Sequence, residues 1–413
     1  MAPQAPPRSL EHPLPAGMRD LLPEEAGARR ALARGVLDRF ALHGYALVTP
    51  PVFEFAEVLE RGLETLDAAN VLRFVEPESG EVAALRPDMT PQIARIIATR
   101  LRGRPPPFRL GYEGTVLRRR SGRARTQRQI PQAGVELAGV AGPEGDLELI
   151  ALAVDALHAT GLEHFTLDIG DAGIVRALLD DLPPERRALL SEAISRKDDA
   201  EIAQICEAEG AAEGDALRAL PWLHGGRDAL AEGVGRLAKT PAAAAARRLR
   251  ALFEAAEASG FGEHLTADLG EVRRFAYYTG TVFQGYATGT GDAVVSGGRY
   301  DELLGRFGWD LPAAGFALDL DRVGEALLAA RIVAERPARA VVVGSADDAR
   351  IAELRARGVP AVACADRASA LAWARAWGFT HVLDASGWVD AATGTTIRAP
   401  QRQPVNKEGK GQK

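Results

Sequence analysis

Between Val272 and Gly308 the chain reads VRRFAYYTGTVFQGYATGTGDAVVSGGRYDELLGRFG, and these residue types suit recognition of a small polar ligand. Two adjacent tyrosines, Tyr277 and Tyr278, precede a strand-forming run, and Gly297-Gly298 stands directly ahead of Arg299, Tyr300 and Asp301. Tyrosine hydroxyls hydrogen-bond polar ligands inside otherwise apolar pockets, and glycines let a backbone approach a ligand closely. The pattern predicts three short strands joined by Gly-rich turns and leading into a helix. Other polar runs with the same kind of potential are LRPDMTPQIAR (85–95), LRRRSGRARTQRQIPQ (117–132), QAGVE (132–136) and GFALDLDR (315–322).

The elements that must position these residues follow from the hydrophobic pattern. A helix is expected from about Pro23 to His43, with Glu24 and Glu25 in its first turn where the helix dipole favours them, ending at Gly44. A strand follows at 45–51. Residues 65–150 alternate short apolar runs with turns, as in an antiparallel sheet, interrupted by a helix from about Met89 to Leu101. A helix at 144–160 and a strand at 165–171 come next. Residues 172–260 are rich in Ala, Glu and Arg and predict a helical insertion, since Ala is the best helix former. A helix over 318–333 closes the main domain, and 338–386 reads βαβαβ, a small α/β unit. The expected organisation is a flexible arm (1–15), a core built from 16–171 and 261–333, the insertion (172–260), an α/β unit (338–400) and a disordered tail (401–413).

Composition narrows the function classes. At 413 residues, with 46% hydrophobic and 26% charged content, the chain is long enough for two or three domains of an ordinary globular protein. Fifty basic and 56 acidic residues give a net charge of −6, which weighs against a dedicated nucleic-acid binder. Cys206 and Cys364 are the two cysteines, far apart and without the spacing of a disulfide framework or a zinc site. No apolar run approaches membrane-spanning length and no secretory h-region opens the chain, so a cytoplasmic location is expected. The seven histidines show no HxH or HExxH spacing and are read as scattered; no P-loop or GxSxG occurs, and neither a metal nor a cofactor is expected.

Taken together, the motifs resemble the histidyl-tRNA synthetase family of class II synthetases. The family's RGLDYYTGTVFE and GGRYDGL are similar to RRFAYYTGTVFQ and GGRYDEL here. AGMRDLLPEEA (16–26) resembles RGTRDILPEE, FALHGYALVTPPVFE (40–54) resembles motif 1 with its closing proline at Pro51, and LRPDMT resembles LRPEGT. Motif 2 is recognisable at 118–136 and motif 3 at 315–322. The resemblance covers about residues 10–333 and implies an α+β fold: a class II synthetase-like antiparallel sheet flanked by helices, with a helical insertion and a small C-terminal α/β unit.

The same resemblance implies a site for free histidine. Such a site needs a carboxylate near the α-ammonium and hydrogen bonds to both imidazole nitrogens. Asp88, Thr90 and Gln132 would face the amino group, Glu136 and Tyr278 the imidazole, with Tyr277 beside them. Arg118 keeps the position of an arginine that contacts the α-phosphate, and Arg273 that of the family's catalytic arginine. The nucleotide half departs from the synthetase pattern. Arg120 replaces a glutamate, Thr126 an arginine, Ala276 an aspartate, and Asp319 stands where motif 3 has glycine, placing a carboxylate beside the expected triphosphate. Adenylation is therefore expected to be lost. The cluster Arg118, Arg119, Arg120, Arg123, Arg125 and Arg128 is either a solvated turn or a surface for RNA, a phosphate ligand or an acidic partner.

LRPDMTPQIAR, QAGVE, YYTG and GFALDLDR look like the forms of one branch of this family, the ATP phosphoribosyltransferase regulatory subunits. That resemblance implies a non-catalytic chain that activates a short-form catalytic ATP phosphoribosyltransferase subunit in the first step of histidine biosynthesis and carries feedback inhibition by histidine. It also implies a homodimer within a larger hetero-oligomer, with no tRNA partner. Two rivals stay open: an active histidine–tRNA ligase, and a stand-alone histidine-binding or RNA-modification accessory protein.

Overall fold

A computed structural model describes residues 14–63, 71–119, 127–209, 213–272, 277–332 and 338–398. It resolves into two compact units, Met1–Ile332 and Val333–Lys413. The expected arm through residue 13 and the expected tail at 401–413 lie outside the described residues, as do Arg120, Arg123, Arg125, Thr126, Arg273 and Ala276.

The strands of the first unit, in chain order, are β1 (Ala46–Leu47), β2 (Phe53–Phe55), β3 (Leu72–Val75), β4 (Val82–Leu85), β5 (Phe108–Leu117), β6 (Gln129–Ala138), β7 (Phe165–Asp171), β8 (His224–Gly225), β9 (Leu265–Asp268), β10 (Thr281–Ala287), β11 (Val295–Arg299) and β12 (Ala313–Asp319). Among the described residues, nine of these form one sheet in the order β1-β5-β6-β12-β11-β10-β7-β9-β8. Its centre is antiparallel as expected, while β1–β5 and β7–β9 pair in parallel, so the sheet is mixed. The run at 65–150 does not stay in one sheet. Strands β2-β4-β3 form a separate three-stranded sheet, because the chain turns sharply after Leu85. The buried Arg86 guanidinium fixes that turn by donating to the carbonyls of Thr115 (2.9 Å), Pro50 (3.1 Å) and Pro51 (3.4 Å).

Strand β6 shows how sequence builds the layers. Ala133, Val135 and Leu137 point into the larger core, formed with the helices Pro23–Leu42, Pro143–Ala159, Ala243–Ala256 and Leu320–Ala329. The alternate positions Ile130 and Ala138 belong to a second core with Met89, Ile93 and Ile97 of the helix Thr90–Arg100 and with Tyr112, Tyr277, Tyr278 and Tyr300. Side chains alternate across a strand, so Gln132, Gly134 and Glu136 share that second face.

Some boundaries differ from expectation. Among its described residues, the 272–308 stretch supplies two strands and not three, β10 and β11, followed by a single 3-10 turn at Leu304–Phe307 in place of a longer helix. The strand expected at 45–51 is only Ala46–Leu47, since Pro50 and Pro51 offer no N–H to a ladder. The closing helix begins at Leu320, capped by Asp319. The described residues of 172–260 are mostly helical, and they also contribute β8, which pairs with β9 at the edge of the large sheet.

The second unit is a five-stranded sheet. Strands β13 (Ala340–Val343), β14 (Ala361–Cys364) and β15 (His381–Asp384) pair in parallel through the helices Ala349–Ala356 and Arg367–Ala376. Two antiparallel strands, β16 (Gly387–Asp390) and β17 (Thr396–Ile397), extend it beyond the expected βαβαβ.

Candidate functional site

The second face of the large sheet carries a closed polar cluster. Asp88 and Thr90 come from the turn into the helix Thr90–Arg100, Gln132 and Glu136 from β6, and Tyr277 and Tyr278 from the segment before β10. All six are at least nine-tenths buried. Thr90 donates its hydroxyl to Glu136 Oε1 at 2.7 Å, and Tyr277 donates its hydroxyl to Asp88 Oδ2 at 2.8 Å. Asp88 Oδ1 also accepts the backbone N–H groups of Met89 (2.7 Å) and Thr90 (3.4 Å). Arg118 donates from Nε to the Pro87 carbonyl at 2.8 Å, which sets its guanidinium beside the Asp88 turn. The structure thus brings together Asp88, Thr90, Arg118, Gln132, Glu136, Tyr277 and Tyr278, while Arg273 lies outside the described residues.

Three buried polar atoms of this cluster have no hydrogen-bond partner: Glu136 Oε2, Gln132 Oε1 and the Tyr300 hydroxyl. Buried polar groups are nearly always paired, so three orphans on one face make this cluster the candidate site for a polar ligand. The floor beneath them is glycine. Gly298 on β11 pairs with Gly315 on β12, and Gly315 pairs with Glu136 on β6. A Cβ on Gly315 would lie 2.0 Å from Glu136 Oε2 and 2.6 Å from the Tyr300 hydroxyl. A Cβ on Gly298 would lie 2.8 Å from the Tyr278 ring. Burial, reinforced by Asp88, holds the Glu136 carboxyl well above the usual carboxylate range, against the lowering effect of its hydrogen bonds with the Thr90 and Tyr112 hydroxyls. Burial and the nearby carboxylates likewise raise the Tyr112 and Tyr277 phenols, which remain protonated donors.

Other residues of the opening motif have a different task. Arg299 points to the opposite face from Gly298 and is clamped by Asp146 (Nε to Oδ1, 2.8 Å), by the carbonyls of Val140 and Gly142, and by Asp301. Thr281 completes the clamp by donating to Asp146 at 2.7 Å. This arginine braces the sheet and takes no part in the pocket. Sequence reading missed Tyr112, Arg86 and Asp146; of these, Arg86 was visible within the LRPDMT motif.

Asp319 proves to be a helix cap. Its Oδ1 accepts from the backbone N–H groups of Asp321 and Arg322, each at 3.2 Å. Arg322, the motif-3 arginine, is engaged by Glu325 at 2.6 Å. Two carboxylates, Asp319 and Glu325, therefore lie beside the motif-3 arginine. Among the described arginines of the 118–128 cluster, Arg118 faces the site and Arg128 is partly buried with its Nε unpaired, so the cluster is more than a solvated turn at those two positions.

The expectation of scattered histidines needs correction. His158 and His264, 106 positions apart, meet with their Nε2 atoms 3.2 Å apart. They line a surface cleft with Glu163, His164, Glu263 and Tyr286, away from the Glu136 cluster. The pairing arises because β7 and the turn Gly262–His264 converge beside the end of the helix Pro143–Ala159, a tertiary contact with no local signature.

Comparison with known proteins places the chain in a family. A family model described as histidyl-tRNA synthetase matches residues 17–323. The solved structure of an ATP phosphoribosyltransferase regulatory subunit/histidyl-tRNA synthetase from Bacillus halodurans superposes with a TM-score of 0.77 at 29% identity, over 91% of this chain and 98% of that one. A histidyl-tRNA synthetase from Nostoc sp., 21% identical over 93% of this chain and 96% of that one, gives the same TM-score and shares the fold. Among curated relatives, the ATP phosphoribosyltransferase regulatory subunit of Moorella thermoacetica is 44% identical over 315 residues, 75% of this chain and 80% of that protein. That of Syntrophotalea carbinolica is 38% identical over 349 residues, 83% and 82% of the two chains. The chain belongs to the histidyl-tRNA synthetase family and, within it, to the ATP phosphoribosyltransferase regulatory subunits.

Proposed function

We propose that this chain is the non-catalytic regulatory subunit of an ATP phosphoribosyltransferase, acting in histidine biosynthesis and sensing histidine at the Glu136 cluster. The assignment to the enzyme rests on the regulatory subunits it matches at 38–44% identity. The observation that carries the sensing role is the buried constellation of Glu136, Gln132 and Tyr300, three unpaired polar atoms above the glycine floor. Free histidine offers complementary groups: an ammonium and an imidazole N–H for the two acceptors, and a second imidazole nitrogen able to accept from a phenol. Asp319 and Glu325, flanking Arg322, support loss of nucleotide chemistry, because carboxylates there repel phosphate.

Activation and feedback then follow from linkage. A ligand that binds one state of a complex better shifts the complex toward that state, and the catalytic site feels the shift reciprocally. The catalytic partner is a short-form ATP phosphoribosyltransferase subunit. A homodimer is the platform for that assembly. Its seam is the three-stranded sheet and the segment before it, where Leu47, Val52, Phe53, Phe55, Val75 and Val82 are exposed apolar residues. No helix among the described residues is long and apolar enough to cross a membrane.

The deciding experiment measures phosphoribosyltransferase activity of a short-form catalytic subunit alone, with this chain, and with this chain plus histidine. Stimulation that histidine reverses supports the proposal. Absence of stimulation with a competent catalytic subunit, together with ATP-dependent adenylation of histidine by the chain alone, would overturn it in favour of a ligase.

A further inference from the structure

We propose that His158 and His264 form a binding site for a divalent transition metal of the zinc type, with Glu263 as a third protein donor. The site is independent of the histidine pocket and of the regulatory reading.

The argument begins with the ring nitrogens that face away from the contact. His264 Nδ1 lies 3.3 Å from the Phe165 carbonyl, an acceptor that selects the tautomer protonated at Nδ1. His158 Nδ1 lies 3.4 Å from the Glu163 carboxylate, which favours the same tautomer there. Both Nε2 atoms then present lone pairs, and they face each other at 3.2 Å. Two apposed lone pairs at that distance call for an electrophile between them. A carbonyl or carboxylate holding the distal imidazole nitrogen is the arrangement that orients metal-bound histidines and raises their basicity.

The spacing is also that of a metal edge. With zinc–nitrogen bonds of about 2.0–2.1 Å and tetrahedral angles, two imidazole donors stand about 3.3 Å apart. The rings are held in place. Phe165 stacks on His264 with centroids 4.2 Å apart and planes 6° apart, and meets the His158 ring edge-on at 5.2 Å. His264 is 7% exposed, so its orientation is set by packing. Glu263 Oε1 is 3.8 Å from His264 Nε2 on a largely solvent-facing side chain, close enough to reach a shared ion by rotation. The cleft leaves the remaining coordination position to water. A metal here would tie the end of the helix Pro143–Ala159 to the turn Gly262–His264.

Among the described residues, the one group of three whose donor atoms already lie within 4.8 Å of one another is Asp168, Asp268 and Glu271, and it does not compete; at the histidine pair Glu263 must rotate to complete the set. Lys197 already neutralises Asp268 at 2.6 Å, and Thr266 donates to Asp168.

The test uses the full chain stripped of metal, titrated with Zn(II) against a chromophoric chelator and with Co(II) followed by its visible absorption. One equivalent per chain is expected, with affinity reduced at least about tenfold in His158→Gln and in His264→Ala, and by roughly tenfold in Glu163→Gln. His224→Ala, a histidine elsewhere on the surface, should bind as the unaltered chain does. Zn(II) should raise the Tm of the unaltered chain and not that of His158→Gln; because His158 is partly exposed, this variant keeps the fold even if His264→Ala does not. Equal Zn(II) affinity in the unaltered chain and His158→Gln would overturn the proposal. So would the absence of stoichiometric binding, leaving the pair as an imidazole–imidazole hydrogen bond.

Discussion

Thr90 and Glu136, 46 positions apart, are joined by a 2.7 Å hydrogen bond that occupies one oxygen of the carboxyl and leaves the other, Oε2, without a partner. The threonine fixes the carboxyl plane, and the unpaired oxygen is aimed over Gly315. Replacing Glu136 by Gln keeps the shape and removes the group that a histidine cation can draw into its ionised form. We expect histidine to bind the variant roughly tenfold or more weakly, since hydrogen bonds to charged groups contribute about 1.5–3 kcal/mol. Isothermal titration with histidine measures this directly, and feedback inhibition of the assembled enzyme should weaken in parallel while activation persists. Undiminished binding would remove Glu136 from the site.

The raised pKa of Glu136 makes the ligand-free chain sensitive to alkali. Its folded-state value lies above the ordinary 4.5, so its contribution to stability is full below about pH 4.5 and declines as pH rises through the folded pKa. Glu136→Gln carries no such loss. The Tm of the variant relative to the unaltered chain should therefore rise as the pH is raised above about 4.5, the ordinary carboxyl value. A difference that is flat with pH would contradict the assignment.

Tyr277→Phe should be costly out of proportion to one hydroxyl. It strips Asp88 Oδ2 of its donor and leaves a buried carboxylate oxygen unsatisfied. A loss of about 1–3 kcal/mol in denaturant unfolding is expected, with weaker histidine binding as the accompanying sign. Tyr278→Phe, by contrast, should weaken feedback more than stability.

The apolar seam predicts an oligomer-state change. Phe53→Glu places a charge on a side chain that is exposed in the isolated protomer and packs edge-to-face on Phe74 at 5.2 Å. The variant should sediment as a monomer at concentrations where the unaltered chain is a dimer. An unchanged sedimentation coefficient, whether both are dimers or both monomers, would move the seam elsewhere or abolish it.

Much of this organisation was legible in the sequence, and particular residues show why the rest was not. The helix Pro143–Ala159 and the strand Phe165–Asp171 were readable from periodicity because each is long and has a clear core face. Strand β6 is buried on both faces, so its apolar run alone says nothing of which side bears the site; Gln132 and Glu136 were found by resemblance to a motif. Asp319 read as an obstacle to nucleotide and is also a cap, since an aspartate ahead of a helical pattern satisfies either reading until backbone geometry is seen. Arg299 shared a motif with Gly298 yet faces the other way, a consequence of strand alternation that spacing could have revealed. His158 and His264 had no sequence signal, because their contact depends on how strands and helices converge.

The paired glycines Gly298 and Gly315 have a consequence for selectivity. Each leaves to a recognition side chain the space that its own Cβ would take: Gly298 to the Tyr278 ring, Gly315 to Glu136 Oε2 and the Tyr300 hydroxyl. The two central strands that carry them, in a nine-stranded sheet, cannot open that space again, because close-packed interiors yield little. A side chain at either glycine is therefore expected to displace the recognition groups themselves, so discrimination here depends on two residues that carry no recognition atom of their own.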